Sequence, residues 1–600
     1  FTMTDDYGNG KFFGNGYLKR QYDAYGNTLY FNYNGSAQLA TITRQNVGSD
    51  TTETLATLTY DATTKRLLSV RDEAGRTVSF TYTSLGSTYS ISTIQFADNA
   101  EMRYGYSAND GVYRMTDVYD SEAQYGMEFT YTAKGRVSTF AEYAGTGKSY
   151  GAKFSAEKLA QNQTRYCYYG KDGTQGTSDD IYTHKVLDIL GRTINSYSTD
   201  ATQKHVLGVG VSNYTTNNGT SKQNNRLTAG VSAGQQGVNL LNNASVENAD
   251  AMSSGISRWT QSAQSGQSVS QAEAYLGELS LCLSQTTANA TPNYWQQAFT
   301  PDETHEYTFS GYIKIPASTG FPENGGVSLQ FVNNSGIIEE SERVNYSTEN
   351  IGSGWIRLSV TATLTAGSTV QARFSADNFT GKIYGDAFQL EKESSAATFN
   401  IIEDGSFEHQ DSIDSSSSSH YWYKTGSAEI TGNEATYFGT KTLQLSSTDG
   451  FQRISRNVPV NAPLGSTFIL SAWAKADALP GSEATQETEL NRLKPYFGLI
   501  LRFYYTDGTE EVHYYPCDQY YRDWQYVQGI AVPQKTGSNV KIRSITIVAS
   551  YEKNINKAYF DNISFRMEPV QTYAYDSNGN VKTATQMGSG TESASYSGVD

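Results

Sequence analysis

The sequence predicts an all-β protein, on three observations. Gly (54) and Tyr (45) are abundant, with much Ser, Thr and Asn and few runs of Leu, Ala, Glu and Lys, so strands and tight turns are favoured over helices. Short stretches alternate apolar and polar residues, as in Thr77-Val-Ser-Phe-Thr-Tyr82 and Met127-Glu-Phe-Thr-Tyr131, the period of two expected of strands. Between them Asp or Asn precedes Gly, the chemistry of a side-chain-capped hairpin turn. A chain of 600 residues exceeds one core, so several domains or a long repetitive body are expected.

Composition narrows the function classes. A formal charge of −16 argues against nucleic acid, whose phosphates demand a basic face. No run of 18 apolar residues is present, so no membrane span is expected in this chain. The chain opens Phe-Thr-Met-Thr without a secretory leader pattern, and both ends fall inside repetitive sequence. A piece of a longer protein is therefore expected. Three cysteines (Cys167, Cys282, Cys517) suit neither a disulfide framework nor a four-ligand zinc site. In Leu281-Cys-Leu283 the leucines should point inward and the thiol to the other face.

From Phe1 to Ser212 a Tyr-Asp-Gly punctuation recurs: Tyr22-Asp-Ala-Tyr-Gly26, Tyr60-Asp61, Arg71-Asp-Glu-Ala-Gly75, Tyr119-Asp120 and Leu187-Asp-Ile-Leu-Gly191. It resumes as Tyr575-Asp-Ser-Asn-Gly579. Each unit reads as a strand ending in aromatic-Asp, a turn with Gly, and a second strand; repetition carries the reading. These units resemble the YD, or Rhs, repeats of bacterial surface and secreted proteins. The resemblance implies a spiralling β-sheet shell over residues 1–212, resumed at 570–600, and a secreted or cell-surface location. Such proteins often enclose a C-terminal effector domain, which this chain's parent could carry. No PxxxxDPxG-like self-cleavage stretch occurs here.

The middle of the chain is one module used twice. NLLNNASVE (Asn239–Glu247) returns as NIIEDGSFE (Asn400–Glu408), and the closing strand Ile383-Tyr-Gly-Asp386 returns as Ala558-Tyr-Phe-Asp561. Between these ends, Tyr275-Leu-Gly-Glu-Leu matches Tyr437-Phe-Gly-Thr-Lys, Tyr312 matches Trp473, Gln330 matches Arg502, and Trp355 matches Trp524. The predicted divisions are repeats at 1–212, a linker at 213–237, β-sandwiches at 238–397 and 398–569, and repeats again at 570–600. Asp411–Ser419 and Ala478–Arg492 read as exposed insertions.

The strand series resembles the galactose-binding-like jelly rolls, and in particular the carbohydrate-binding modules of bacterial polysaccharide-degrading enzymes. That resemblance implies a structural Ca²⁺ held by Glu247 with Asp386 and by Glu408 with Asp561, completed by carbonyls. The alternative is that each carboxylate accepts backbone N–H bonds. Strand alternation gives a second set. In Phe468–Lys475 the residues Phe468, Leu470, Ala472 and Ala474 form the core phase and leave Trp473 on the other face. Arg502, Tyr504, Tyr526 and Gln528 share that outward phase, as do Tyr312, Gln330 and Arg357 in the first module. Flat rings and planar donors suit sugar rings and hydroxyls. A loop, the other module or the repeats could instead cover that face.

Nothing points to catalysis. No acid pair recurs in both modules except the proposed calcium pair, and no HExxH or GxSxG motif occurs. Lys171–Asp180 lacks the spacing of a calcium loop and reads as a hairpin tip. The expected function is non-catalytic binding of a polysaccharide or glycan. The alternatives are a scaffold in an effector-delivery protein and an accessory part of a polysaccharide-active hydrolase.

Overall fold

Local turn chemistry builds most of the chain. In the computed structural model, Asp23 Oδ1 accepts the amides of Tyr25 (3.0 Å) and Asn27 (2.9 Å), and Gly26 N–H closes on Asp23 O at 3.1 Å with φ +94°. Asp188 with Gly191 and Asp576 with Gly579 make the same turn. The structure describes residues 1–109, 111–215, 226–234, 237–247, 259–322, 324–345, 354–409, 413, 422–432, 436–446, 451–481, 495–576, 579–587 and 592–595. Every regular element among them is a strand; none is a helix. Two compact units result: Phe1–Glu157 with Tyr166–Ile181, and Lys158–Arg165 with Tyr182–Asp600.

In the first unit each strand pairs antiparallel with the next, from Thr2–Thr4 and Gly10–Gly14 through Val137–Ala144 and Ser149–Ala160. Successive hairpins are stitched by tyrosine hydroxyls: Tyr33 donates to Leu18 O, Tyr82 to Leu67 O and Tyr106 to Ile91 O, at 2.8–3.1 Å. A neutral bond of this kind is worth about 1 kcal/mol net. Repetition makes the sum matter, because few side chains here are buried; Leu85, Tyr119, Ala141 and Tyr143 are examples that are.

The second unit continues the same device and adds the twin modules. Thr193–Thr199, Val206–Tyr214 and Leu227–Ala233 pair in turn, and Leu227–Ala233 then pairs with Val570–Tyr575. The predicted linker over 213–237 is thus corrected. Leu227–Ala233 is a strand bonded on both edges, its apolar alternation short enough to have been hidden by the Asn/Gly-rich flanks. Residues 216–225 and 235–236 of that stretch lie outside the described residues. The same holds for the predicted insertion 411–419 except Ile413, which is buried in the core rather than exposed, and for 482–492 of the other.

Each module is two five-stranded sheets in the same order. In the first, Thr260–Gln261, Asn293–Phe299, Val370–Asp377, Gly326–Asn333 and Gly336–Glu340 form sheet one. Gln267–Ser270, Ser280–Gln285, Gly381–Glu391, His305–Lys314 and Trp355–Leu364 form sheet two. In the second, sheet one runs Tyr423–Thr425, Arg453–Pro463, Lys541–Glu552, Tyr496–Tyr505, Glu510–Pro516. Its sheet two runs Ala428–Thr431, Thr442–Ser446, Lys557–Met567, Phe468–Ala476, Gln525–Ala531. Aromatic rings lock the layers together, as Phe374 does with Phe388 (5.6 Å) and Phe468 with Phe503 (5.7 Å).

The duplicated opening motif explains itself at this level. Asn239 Oδ1 accepts the amides of Leu241 and Leu390, and Asn400 Oδ1 accepts those of Ile402 and Phe565, so one side chain ties the first segment to the last strand. Trp259 Nε1 donates to Asn243 O and Trp422 Nε1 to Asp404 O, which makes both tryptophans core lids. Both copies bend through left-handed residues at matched places: Asn243 and Asp404, Val246 and Phe407. Positive φ at a β-branched valine stores strain of about 1–3 kcal/mol, held by burial on all sides.

Candidate functional site

The carboxylates paired by the sequence do meet a common element, the loop Tyr275–Leu279 and its twin Tyr437–Lys441. Asp386 Oδ2 accepts the amides of Tyr275 (2.8 Å) and Leu276 (3.1 Å), and Glu247 Oε1 those of Glu278 and Leu279, both at 3.0 Å. Asp561 and Glu408 repeat this with Tyr437, Phe438, Thr440 and Lys441. Gly277 and Gly439 stand between the two pairs with φ +74° and +62°. A Cβ there would fall within 2.4 Å of the glutamate oxygens. The carboxylates thus accept backbone N–H bonds, the alternative reading of the motif.

Burial acts on these carboxyls and on one beside them. Burial pushes the Asp386 carboxyl well above its ordinary range, and neighbouring Glu247 pushes it further. Glu247 itself is raised to about 7, first by burial. In the second module burial raises Asp404 to about 8, with Glu408 and Glu403 adding to it, and its Oδ2 is buried without a partner. No three Asp, Glu, His or Cys side chains cluster around a common point among the described residues, so carbonyls would have to complete any shell.

The predicted face around Trp473 is corrected. Alternation rightly puts Trp473, Tyr526 and Gln528 outside the sandwich core, but the repeat strands Thr193–Thr199 and Val206–Tyr214 cover them. Trp473 and Tyr526 are each 2% exposed. Tyr197 meets Trp473 edge-on at 5.4 Å and Tyr526 at 5.0 Å, and Tyr437 stacks on Trp473 at 3.8 Å. Gln528 Nε2 donates to Ser196 O (2.9 Å) and Gly210 O (3.3 Å). With Val206, Val209 and Ile469 these residues form an apolar cluster that fastens the module to the repeats. A sugar has no access to it.

Arg502 and Tyr504 do not share that face. They lie on Tyr496–Tyr505, in sheet one, with half-buried side chains on its outer surface. The first module divides its predicted set in the same way. Tyr312 and Arg357 are half-buried on sheet two, where Tyr312 stacks on Tyr275 at 3.7 Å. Arg357 donates to Ser310 Oγ (3.0 Å) and to Ala397 O at the module junction. Gln330 lies on sheet one and is 4% exposed, so its predicted role as an open sugar contact is corrected.

Gln330 belongs to a row the sequence reading missed. Pairing aligns Gln296, Arg373, Gln330 and Glu340 across four strands, with Tyr294, Ser375 and Ser328 in the next outward row. Between them, Trp295, Phe374 and Leu329 point into the core. Arg373 lies over the Tyr294 ring at 4.0 Å and its Nε donates to Gln296 Oε1 at 2.9 Å. Gln330 Nε2 donates to Glu340 Oε1 (2.9 Å), which Arg343 also approaches (3.2 Å). The available signal was the alternation in Tyr294-Trp295-Gln296 and Ala372-Arg373-Phe374, where a polar residue flanks each core aromatic. In the second module the same register holds Asn457, Thr546 and Arg502. There Tyr504, Arg543, Asn457, Ser544 and Thr546, with Glu278 of the first module, line an open cleft of about 350 Å³.

No family model matches the chain, and no curated protein does. Among solved structures, it is similar to the N-terminal tandem CBM22-1-CBM22-2 domain of Paenibacillus barcinonensis Xyn10C, at 18% identity and a TM-score of 0.20, covering 55% of this chain and 98% of that one. It is similar to a family 16 carbohydrate-binding module at 22% identity and a TM-score of 0.19, covering 28% and 99%. It is also similar to the arabinose-bound MgGH51 α-L-arabinofuranosidase at 16% identity and a TM-score of 0.21, covering 26% of each chain.

Proposed function

We propose that the chain binds polysaccharide or glycan without acting on it, through the outer surfaces of sheet one in the two modules. The observation that supports this most is the pair of half-buried planar polar side chains, Gln296 and Arg373, beside the Tyr294 ring, with Glu340 and the buried Gln330 continuing the row. Such a surface offers ring stacking and fixed donors at low conformational cost, the requirements of a sugar. The second module contributes Tyr504, Arg502 and the 350 Å³ cleft. Two weak sites on one body gain avidity when one polymer reaches both. The setting is a secreted or bacterial cell-surface protein of the YD-repeat kind. Structural Ca²⁺ held by Glu247 with Asp386, and by Glu408 with Asp561, would neutralise the buried carboxylates and supply no catalysis.

A second reading is favoured by one contact. Trp473 on Tyr197 fastens the second module to the repeats, as a scaffold in an effector-delivery shell would require. A glycan array with the whole chain separates the two. The binding reading expects retention of at least one polysaccharide, weakened fivefold or more by Tyr294→Ala or Tyr504→Ala. Retention unaltered by both variants refutes the proposed faces, and no retention at all leaves the scaffold.

A further inference from the structure

Arg373 has a charge with no counter-charge. Neighbouring Arg343 is paired: its Nη2 lies 2.6 Å from Asp377 and its Nη1 3.2 Å from Glu340. Arg373 is half-buried, stacks on a neutral ring and spends Nε on a neutral amide. No carboxylate among the described residues bears on it, and burial holds its guanidinium below the ordinary arginine range. Glu340, two strands away in the row, is occupied by Ser328 Oγ (2.5 Å), Gln330 and Arg343, so its charge is already answered. Placing a cation in a partly desolvated site without a partner costs free energy that an anionic ligand would recover.

We infer that the first module recognises an acidic polysaccharide, with the two free Nη groups of Arg373 taking the carboxylate of a uronic acid while the Tyr294 ring carries the face of the sugar. This rests on the carbohydrate-binding reading above and adds the substrate class. A guanidinium presents two parallel donors at the spacing of a carboxylate, a geometry a lysine cannot copy. Gln296 flanks it on one neighbouring strand, half-buried and beside the Tyr294 ring, while Gln330 on the other strand is buried and bonded to Glu340. The second module lacks the feature: Thr546 stands in the register position of Arg373, with its Oγ1 accepting from Asn457 at 2.8 Å.

Affinity electrophoresis of the whole chain in polygalacturonate, hyaluronan and glucuronoxylan, each beside its carboxyl-reduced form, tests this. The expected result is binding to at least one acidic polymer that weakens tenfold or more on carboxyl reduction. Arg373→Gln and Arg373→Lys should each cost tenfold on that acidic polymer and under twofold on the reduced one. Reduction alters the ligand and leaves the protein intact, so the result stands even where a variant folds poorly. Equal binding to acidic and reduced forms overturns the inference and keeps the carbohydrate reading. Binding to neutral polymers alone does the same, and binding to none of the polymers overturns both.

Discussion

Tyr575 donates its hydroxyl to Leu227 O at 2.6 Å across 348 residues of chain. The bond is the one Tyr33 makes with Leu18 and Tyr82 with Leu67 only 15 residues away. The two modules are therefore spliced between adjacent repeat strands without disturbing the stitch that joins them. Tyr575→Phe should lower the local stability of this junction by about 1 kcal/mol. Amide exchange in Val570–Tyr575 and Leu227–Ala233 should speed about fivefold, with rates in the module cores unchanged.

Trp473→Ala should behave as a core mutation. Removing a fully enclosed tryptophan costs about 3–5 kcal/mol where neighbours cannot collapse into the space. Thermal melting of the whole chain should show the unit of Tyr197, Val206 and the second module opening earlier, while glycan retention persists below that transition. Loss of retention with unchanged melting would restore Trp473 as a binding residue.

The buried carboxylates predict how stability follows pH. Asp404 has a folded value of about 8, set first by burial, against about 4 in an unfolded chain. A raised value means that its contribution is fully present below about pH 4 and is lost as pH rises through 8. In chelator, Asp404→Asn should therefore melt higher than the parent chain at pH 8 and equally at pH 4.

Calcium makes a separate prediction. Millimolar CaCl₂ should raise the pH 8 melting temperature of the parent chain and less so that of Glu408→Gln, because the ion would neutralise Glu408 and Asp561 together. An identical transition with calcium and with chelator at pH 8 would sink the ion.

Pattern reading served some of these residues and failed others for physical reasons. Alternation correctly separated Trp473, Tyr526 and Gln528 from the sandwich core, because a pleat fixes which side of a sheet a residue faces. It carries no information on what lies beyond that side, and here Tyr197, 276 residues earlier by chain order, lies there. The same limit merged Arg502 and Tyr504 with Trp473, since phase within a strand does not say which of two sheets the strand joins. Arg373 was passed over because it borders a core aromatic and reads as its polar spacer. The Asn239 and Asn400 motif was legible as a repeat, but its role in tying first segment to last needs the closing strand in place.

The pairing of Leu227–Ala233 with Val570–Tyr575 also imposes an order of assembly. A ribosome delivers the first of these strands long before the second, so its outer edge stays unpaired while both sandwiches are made. Closing a loop of that length costs little more than closing one half as long, but the contact comes late. Until then the exposed edge can recruit the wrong strand, its own or a neighbour's. Sandwiches that fold promptly bring their two ends together and present the returning strand to the waiting edge. Fast folding of the inserts would then act as a safeguard against aggregation for the repeats that carry them.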